Sequence, residues 1–229
     1  MMSSGRFAVV ITAAGSSSRY GPNTCKVLEH IQGVPVLIHS IQAFSIENFS
    51  EIIVTAPAEH FDKIKTLCDP IPNLKVIIGG STRLHSVQIA LEALSIRPQG
   101  VFIHDGARPN PGTDLIKRML AKASDFEAIV PSIGVTDTIK RITPDNIIIE
   151  TIPRNTIIAA QTPQYFSSRY FHCIASADPY DIKFTDESSV IENAGYKVTS
   201  VPGNIENIKL THPEDLRRLS QIMDPTIKY

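Results

Sequence analysis

Lys26 follows Arg19 by seven residues, and both come after the small-residue run Ala13-Ala14-Gly15-Ser16-Ser17-Ser18. Small side chains let backbone N–H groups come close to an anionic oxygen. A guanidinium then adds a planar fork and an ammonium adds a point charge. The combination suits phosphate, and it equally suits a strand-to-helix turn with solvated serines. Two common phosphate motifs do not fit. A Walker loop needs GxxxxGK, whereas Gly15 and Gly21 stand one residue too far apart and Pro22 follows; GxGxxG fails at Ser17 and Ser18.

Two further clusters carry similar chemistry. Gly79-Gly80-Ser81-Thr82-Arg83-Leu84-His85-Ser86 sets a glycine pair before a helix start, where anions and polar base edges are favoured. Its alternative is a tight turn with Ser86 as a local cap. His104-Asp105-Gly106-Ala107-Arg108-Pro109 sets a carboxylate at the end of an apolar run. Mg²⁺ takes one or two carboxylates together with phosphates and water, so Asp105 is a candidate metal ligand. The alternative is an Asp105–Arg108 ion pair closing a loop. His104 reads as a packed residue, since no second histidine stands at metal spacing. Arg154, Gln161-Thr162-Pro163-Gln164, Thr185-Asp186-Glu187 and Asn207-Ile208-Lys209 are individually weak signals; Thr185-Asp186-Glu187 reads equally as a helix cap.

The elements that must position these clusters alternate. Phe7–Ile11, Ile52–Val54, Val76–Ile78, Val101–Ile103 and Ala128–Val130 read as buried strands. Between them, Val34, Leu37, Ile38, Ile41 and Phe44 recur at helical spacing, with Pro35 suited to a first turn. Val87, Ala90, Leu91 and Leu94 do the same, as do Ile116, Met119, Leu120 and Ala123. This predicts an α/β fold: a Rossmann-like, mainly parallel twisted sheet with helices on both faces. Ligands of such sheets sit at the carboxyl ends of the strands, and the three clusters fall after Ile11, Ile78 and Ile103. The rhythm breaks between Asp137 and Glu150, where Thr138–Ile142 and Ile147–Ile149 flank Thr143-Pro144-Asp145-Asn146 and predict a protruding β-hairpin. Thr211-His212-Pro213-Glu214-Asp215 opens a final helix.

The 229 residues, 42% of them hydrophobic and 20% charged, fit one globular domain spanning 1–229. A formal net charge of −1 argues against a general nucleic-acid binder. Cys25, Cys68 and Cys173 form neither a CxxC pair nor an even set, which disfavours a disulfide framework. The apolar run near the start is too short for a signal peptide and no membrane-length stretch follows, so the expected location is cytoplasmic.

Taken together, TAAGSSSR with Lys26, GGSTRLHSV, HDGARP, DTIK, QTPQ, FTDES and NIKLTHPEDL resemble the 2-C-methyl-D-erythritol 4-phosphate cytidylyltransferases of the non-mevalonate isoprenoid pathway. The resemblance runs from about Val9 to Leu216. The ribitol-5-phosphate cytidylyltransferases share the layout, but their opening loop usually reads more like AGG than TAAG. A CTP-binding regulatory protein without catalysis is a further alternative.

The resemblance implies an Mg²⁺-dependent transfer from CTP to methylerythritol phosphate with release of pyrophosphate. It implies that Ala13, Ala14, Gly15 and Ser16 line the nucleotide and that Arg19, Lys26 and Lys209 stabilise the transition state. It places Gly80, Arg83 and Ser86 around the cytidine, Gly106 near the ribose and Asp105 on the metal. Asp105, Arg108 and Thr185 would face the second substrate. The hairpin, about residues 136–156, would form a homodimer and carry Thr136 and Arg154 into the partner's site. Departures are Cys25 and Val27 where the family usually has Pro and Gln, Ser81 for a common acid, Gly106 for a common alanine and Ser17 for a glycine.

Overall fold

The computed structural model describes residues 7–15, 20–21, 24–45 and 49–224. Strand β1 (Phe7–Thr12) leads, by way of a short 3-10 turn at Lys26–Leu28, into the small hairpin β2 (His30–Ile31) and β3 (Val34–Pro35). Then come α1 (Val36–Gln42), β4 (Ile52–Ala56), α2 (Phe61–Cys68), β5 (Leu74–Ile78), α3 (Arg83–Glu92), β6 (Gly100–Asp105), α4 (Thr113–Lys122) and β7 (Ala128–Gly134). The chain continues through β8 (Ile139–Ile142), β9 (Ile148–Ile152), β10 (Ile158–Ala160), β11 (Gln164–Ser167), α5 (Phe171–Ser176), α6 (Glu187–Asn193), β12 (Thr199–Pro202) and α7 (Pro213–Ile222).

The central sheet runs β10-β7-β11-β6-β1-β4-β5, with β12 also on β7. Ile129 pairs with both Tyr165 and Thr199, and Ser132 with both Ala160 and Pro202. Strands β10 and β11 therefore share one edge of β7, one after the other, and β12 takes the opposite edge. The pairs β1–β4, β1–β6, β4–β5 and β7–β12 are parallel, while β10 and β11 run antiparallel to their neighbours. The sheet is thus mostly parallel with helices on both faces, as the alternating pattern predicts.

Both faces are visible within β1. Alternate residues of a strand point to opposite faces, so Val9 and Ile11 join a core with Leu37, Ile64, Leu115 and Leu219. Val10 instead joins Leu84, Val87, Ile174 and Ile191. Because β1 is buried on both sides and lies in the middle of the sheet, its carboxyl end is a fixed reference for the loops around it.

Some local expectations change. Pro35 ends β3 and stands just before α1 rather than in its first turn. Ser86 is not the cap of α3; Thr82 is, its side chain accepting from the His85 N–H. Helix α6 follows the helix-cap reading of Thr185-Asp186-Glu187, whereas two antiparallel strands (β10, β11), the β2–β3 hairpin and α5 were not expected. They are short, and their residues show no period that stands out from loop. The hairpin does form. Among the described residues, strands β8 and β9 pair only with each other, as a separate two-stranded sheet. Ile142, Ile147, Ile148 and Ile149 on it are more than half exposed. The last helix opens as expected, with Asp215 accepting from the N–H groups of Thr211 and His212.

Candidate active site

The carboxyl ends of β1, β4, β5 and β6 frame one cleft of about 540 Å³. Of the residues singled out in the sequence, Ala13, Ala14, Gly15, Lys26, Gly80, Arg83, Ser86, Asp105 and Lys209 line it. Pro57-Ala58-Glu59, at the end of β4, adds a wall that the sequence reading did not single out.

The first wall is held together by close backbone approach. The Ala13 N–H donates to the Thr55 carbonyl across the end of β4, 2.9 Å away. A side chain at Gly79 would collide with Ala14, so glycine there lets the ends of β1 and β5 meet. The Ser86 hydroxyl accepts from the Gly80 N–H at 3.0 Å and donates to the Thr82 carbonyl at 2.9 Å. It braces the turn after β5 from within α3. Gly106 lies behind the wall. Its N–H donates to the Thr12 carbonyl and its own carbonyl accepts from Ser40, each at 2.9 Å.

The floor is ionic. Arg83 Nε donates to Asp105 Oδ1 at 3.0 Å. Lys209 Nζ lies 2.8 Å and Arg108 Nε 3.3 Å from Asp105 Oδ2. Burial would raise the Asp105 carboxyl, but Arg83, Lys209 and Arg108 outweigh it and hold the group well below the usual carboxylate range. Arg83 is held in turn by Glu187, whose two oxygens lie 2.7 and 2.6 Å from Nη1. Burial pushes the Glu187 carboxyl upward, and the Arg83 contact opposes this. Partial burial would lower the Arg83 guanidinium, but Glu187 and Asp105 outweigh it and raise the group.

A neutral lattice supports this floor. The Asp105 N–H donates to Thr162 Oγ1 at 3.0 Å. His104 Nε2 contacts the Arg108 carbonyl at 2.9 Å, so that nitrogen carries the proton, and Nδ1 then accepts from the Thr162 hydroxyl at 3.1 Å. Burial lowers His104 to about 4, which keeps it neutral. It packs against Phe44 and is not a ligand. Asn207 ties the last segment in, donating to the Thr162 carbonyl while its own carbonyl accepts from Arg108, both at 2.8 Å. This places Lys209, two residues on, at the cleft.

Other expected site residues stand apart from the cleft lining. Arg108 is spent on Asp105 and Asn207, the loop-closing alternative considered above. Thr185 is exposed, just before α6. Arg154 Nη1 donates to the Thr136 carbonyl at 2.8 Å, which joins these two residues to each other at the base of the hairpin. Ser16 and Arg19 lie outside the described residues. Glu187, Thr162 and Asn207 have site contacts to which no role was given. Their signal was membership of the weak clusters Gln161–Gln164, Thr185–Glu187 and Asn207–Lys209.

The chemistry follows from this placement. A cleft with two lysines, a half-buried guanidinium and backbone N–H groups at strand ends receives a polyanion. Among the described residues no group of three His, Cys, Asp or Glu side chains is placed to hold a metal ion. One carboxylate at a phosphate cleft nonetheless suits Mg²⁺, which brings phosphate and water ligands with it.

The model of the 2-C-methyl-D-erythritol 4-phosphate cytidylyltransferase (IspD) family matches residues 7–224. The chain belongs to this family. It is 34% identical over 219 residues to the 2-C-methyl-D-erythritol 4-phosphate cytidylyltransferase of Symbiobacterium thermophilum, covering 95% of this chain and 92% of that one. It is 33% identical over 213 residues to a bifunctional enzyme IspD/IspF of Desulfotalea psychrophila, covering 91% of this chain and 54% of that enzyme. In three dimensions it is similar to the 4-diphosphocytidyl-2C-methyl-D-erythritol synthase of Anaerococcus prevotii, with a TM-score of 0.82, 26% identity and coverage of 94% and 95% of the two chains. The fold is accordingly the α/β nucleotidyltransferase fold of that family.

Proposed function

We propose that the protein transfers the cytidylyl group of CTP to 2-C-methyl-D-erythritol 4-phosphate. The observation that carries this reading is the convergence of Lys26, Lys209 and Asp105 on one strand-end cleft in a chain of this family. An oxygen of the sugar-alcohol phosphate attacks the α-phosphorus of CTP in line. The bond from that phosphorus to the β-phosphate oxygen breaks, and pyrophosphate leaves. The attacking phosphate is already anionic, so no general base is needed. Catalysis rests on positioning and on neutralising charge as it builds.

Lys26, Lys209 and Arg19 stabilise the α-phosphate and the leaving pyrophosphate. Ala13, Ala14, Gly15 and Ser16 hold the nucleotide, and Gly80, Arg83 and Ser86 hold its cytidine end, with Gly106 near the ribose. Asp105 would hold an Mg²⁺ ion, which when bound neutralises phosphate charge. Lys209, which lies 2.8 Å from Asp105, would be within reach of the same phosphate. Arg108 and Thr185 face the second substrate. The chain forms one cytoplasmic domain whose arm, about residues 136–156, seats Thr136 and Arg154 beside the cleft of a second copy. The exposed isoleucines of the arm support that pairing, since an isolated two-stranded hairpin has little stability of its own.

The test is pyrophosphate release from CTP with Mg²⁺ and a panel of sugar-alcohol phosphates. Release is expected only when methylerythritol phosphate is present. Turnover with ribitol 5-phosphate in its place, or CTP binding without turnover, would overturn the reading.

A further inference from the structure

Glu187 is a buried carboxylate, 0% exposed, and capping does not account for it. Asp186 already caps α6, its side chain accepting from the Ser189 N–H. Burying a charge is costly unless it is paired, and both Glu187 oxygens are set on a single nitrogen of Arg83. Arg83 Nε is on Asp105 Oδ1, while Asp105 Oδ2 faces Lys209 and Arg108. The charges alternate from Glu187 to Arg83 to Asp105 to Lys209, from the buried start of α6 to the cleft.

We infer that Glu187 is a positioning residue of the transfer site, acting through Arg83. This rests on the function proposed above and goes beyond it. Two consequences follow from the geometry. Glu187 counters the Arg83 charge, so Asp105 does not have to neutralise Arg83 together with Lys209 and Arg108. Glu187 also fixes the plane of the guanidinium, and with it the rotation of the Asp105 carboxylate that turns Oδ2 toward Lys209. Arg83 Nη2 is buried without a hydrogen-bond partner among the described residues. The guanidinium is therefore held by its Nε and Nη1 contacts alone, and losing Glu187 removes one of the two.

Glu187→Gln keeps the shape and removes the charge. The cleft then carries one more net positive charge, so CTP is held at least as well. Lys209, no longer aligned by a displaced Asp105, no longer meets the α-phosphate. The expected result is a fall in kcat of about tenfold or more with the KM for CTP unchanged or lower. A generally loosened site would raise KM instead.

The second arm compares Arg83→Gln with the double variant Arg83→Gln, Glu187→Gln, which leaves no unpaired buried charge. If Glu187 acts through Arg83, the double variant is no slower than Arg83→Gln alone. A further fall that multiplies the two single losses overturns the inference, and so does a folded Glu187→Gln with kcat near that of the wild type. This pair of variants decides the matter even if Glu187→Gln alone fails to fold.

A readout independent of turnover separates this inference from the proposed function. Nitrogen-resolved NMR of the wild type should show an exchange-protected Nε–H for Arg83, besides that of Arg108 on the same carboxylate, and the Arg83 signal should be absent in Arg83→Gln and broadened in Glu187→Gln. Wild-type protein that shows this signal but no turnover sinks the functional reading alone. An unchanged signal in Glu187→Gln sinks the positioning role.

Discussion

The cleft floor and the hairpin arm each contain a short ion pair, and the two differ in worth. On the arm, Arg141 Nε lies 2.6 Å from Glu150 Oε1, with the two side chains 62% and 49% exposed. At the floor, Lys209 and Asp105 are 2.8 Å apart, and Asp105 is only 7% exposed. Distance alone would rank the arm first. Burial reverses that order, because water and salt screen the exposed pair while the floor charges act on one another in a poorly polarisable medium. The floor holds its charges in a fixed pattern that a polyanion can use. The arm has little to hold it except its exposed isoleucines, which call for a second surface.

The strongest way to break this contrast is to remove the cleft lysines. Lys26→Ala and Lys209→Ala should each lower kcat by about 10²- to 10³-fold while circular dichroism shows a folded chain. Near-normal rates in both would remove the charge-stabilisation roles. The supporting lattice should show itself in acid. His104 is lowered from 6.5 to about 4 in the folded chain, so between these values the unfolded chain binds more protons. Stability is then fully present above pH 6.5 and falls as the pH drops toward 4, by roughly 3 kcal/mol from this residue. Urea unfolding across that range should show the slope, and His104→Gln should flatten it.

The arm should respond differently. Ile148→Ser with Ile149→Ser should weaken self-association on the order of 10- to 100-fold in sedimentation while leaving the unfolding midpoint of the chain nearly unchanged. Arg141→Ala should be the mildest change, under about 1 kcal/mol by denaturant unfolding. A larger loss would mean that this exposed pair is covered in the assembly.

What the sequence disclosed divides along similar lines. The strands and the clusters at their ends were legible because apolar runs and small-residue turns are local patterns, and Ala13, Gly80 and Asp105 needed only those. Glu187 was not legible as a partner of Arg83. The two are 104 positions apart, and the neighbouring Asp186 satisfies the helix-cap reading of the same three residues. Thr162 and Asn207 escaped for the same reason, since each matters through a contact that only the folded sheet creates. Strands β10 and β11 were missed because Ile-Ala-Ala and Gln-Tyr-Phe-Ser carry no period long enough to register. They run antiparallel and are short because they fill, in succession, one edge of β7. The arm was legible from its turn residues. Its Arg154–Thr136 contact was not, because it joins the two ends of the inserted segment.

The central claim is that the floor of one chain and the arm of another form one site. Lys26→Ala chains, with a disabled cleft, can be mixed with Arg154→Ala chains, with a disabled arm. Random exchange makes half the dimers mixed, and each mixed dimer holds one intact site, so activity should climb toward about a quarter of the wild-type rate from two nearly inactive preparations. No recovery, with subunit exchange confirmed by mass-tagged chains, would contradict the claim.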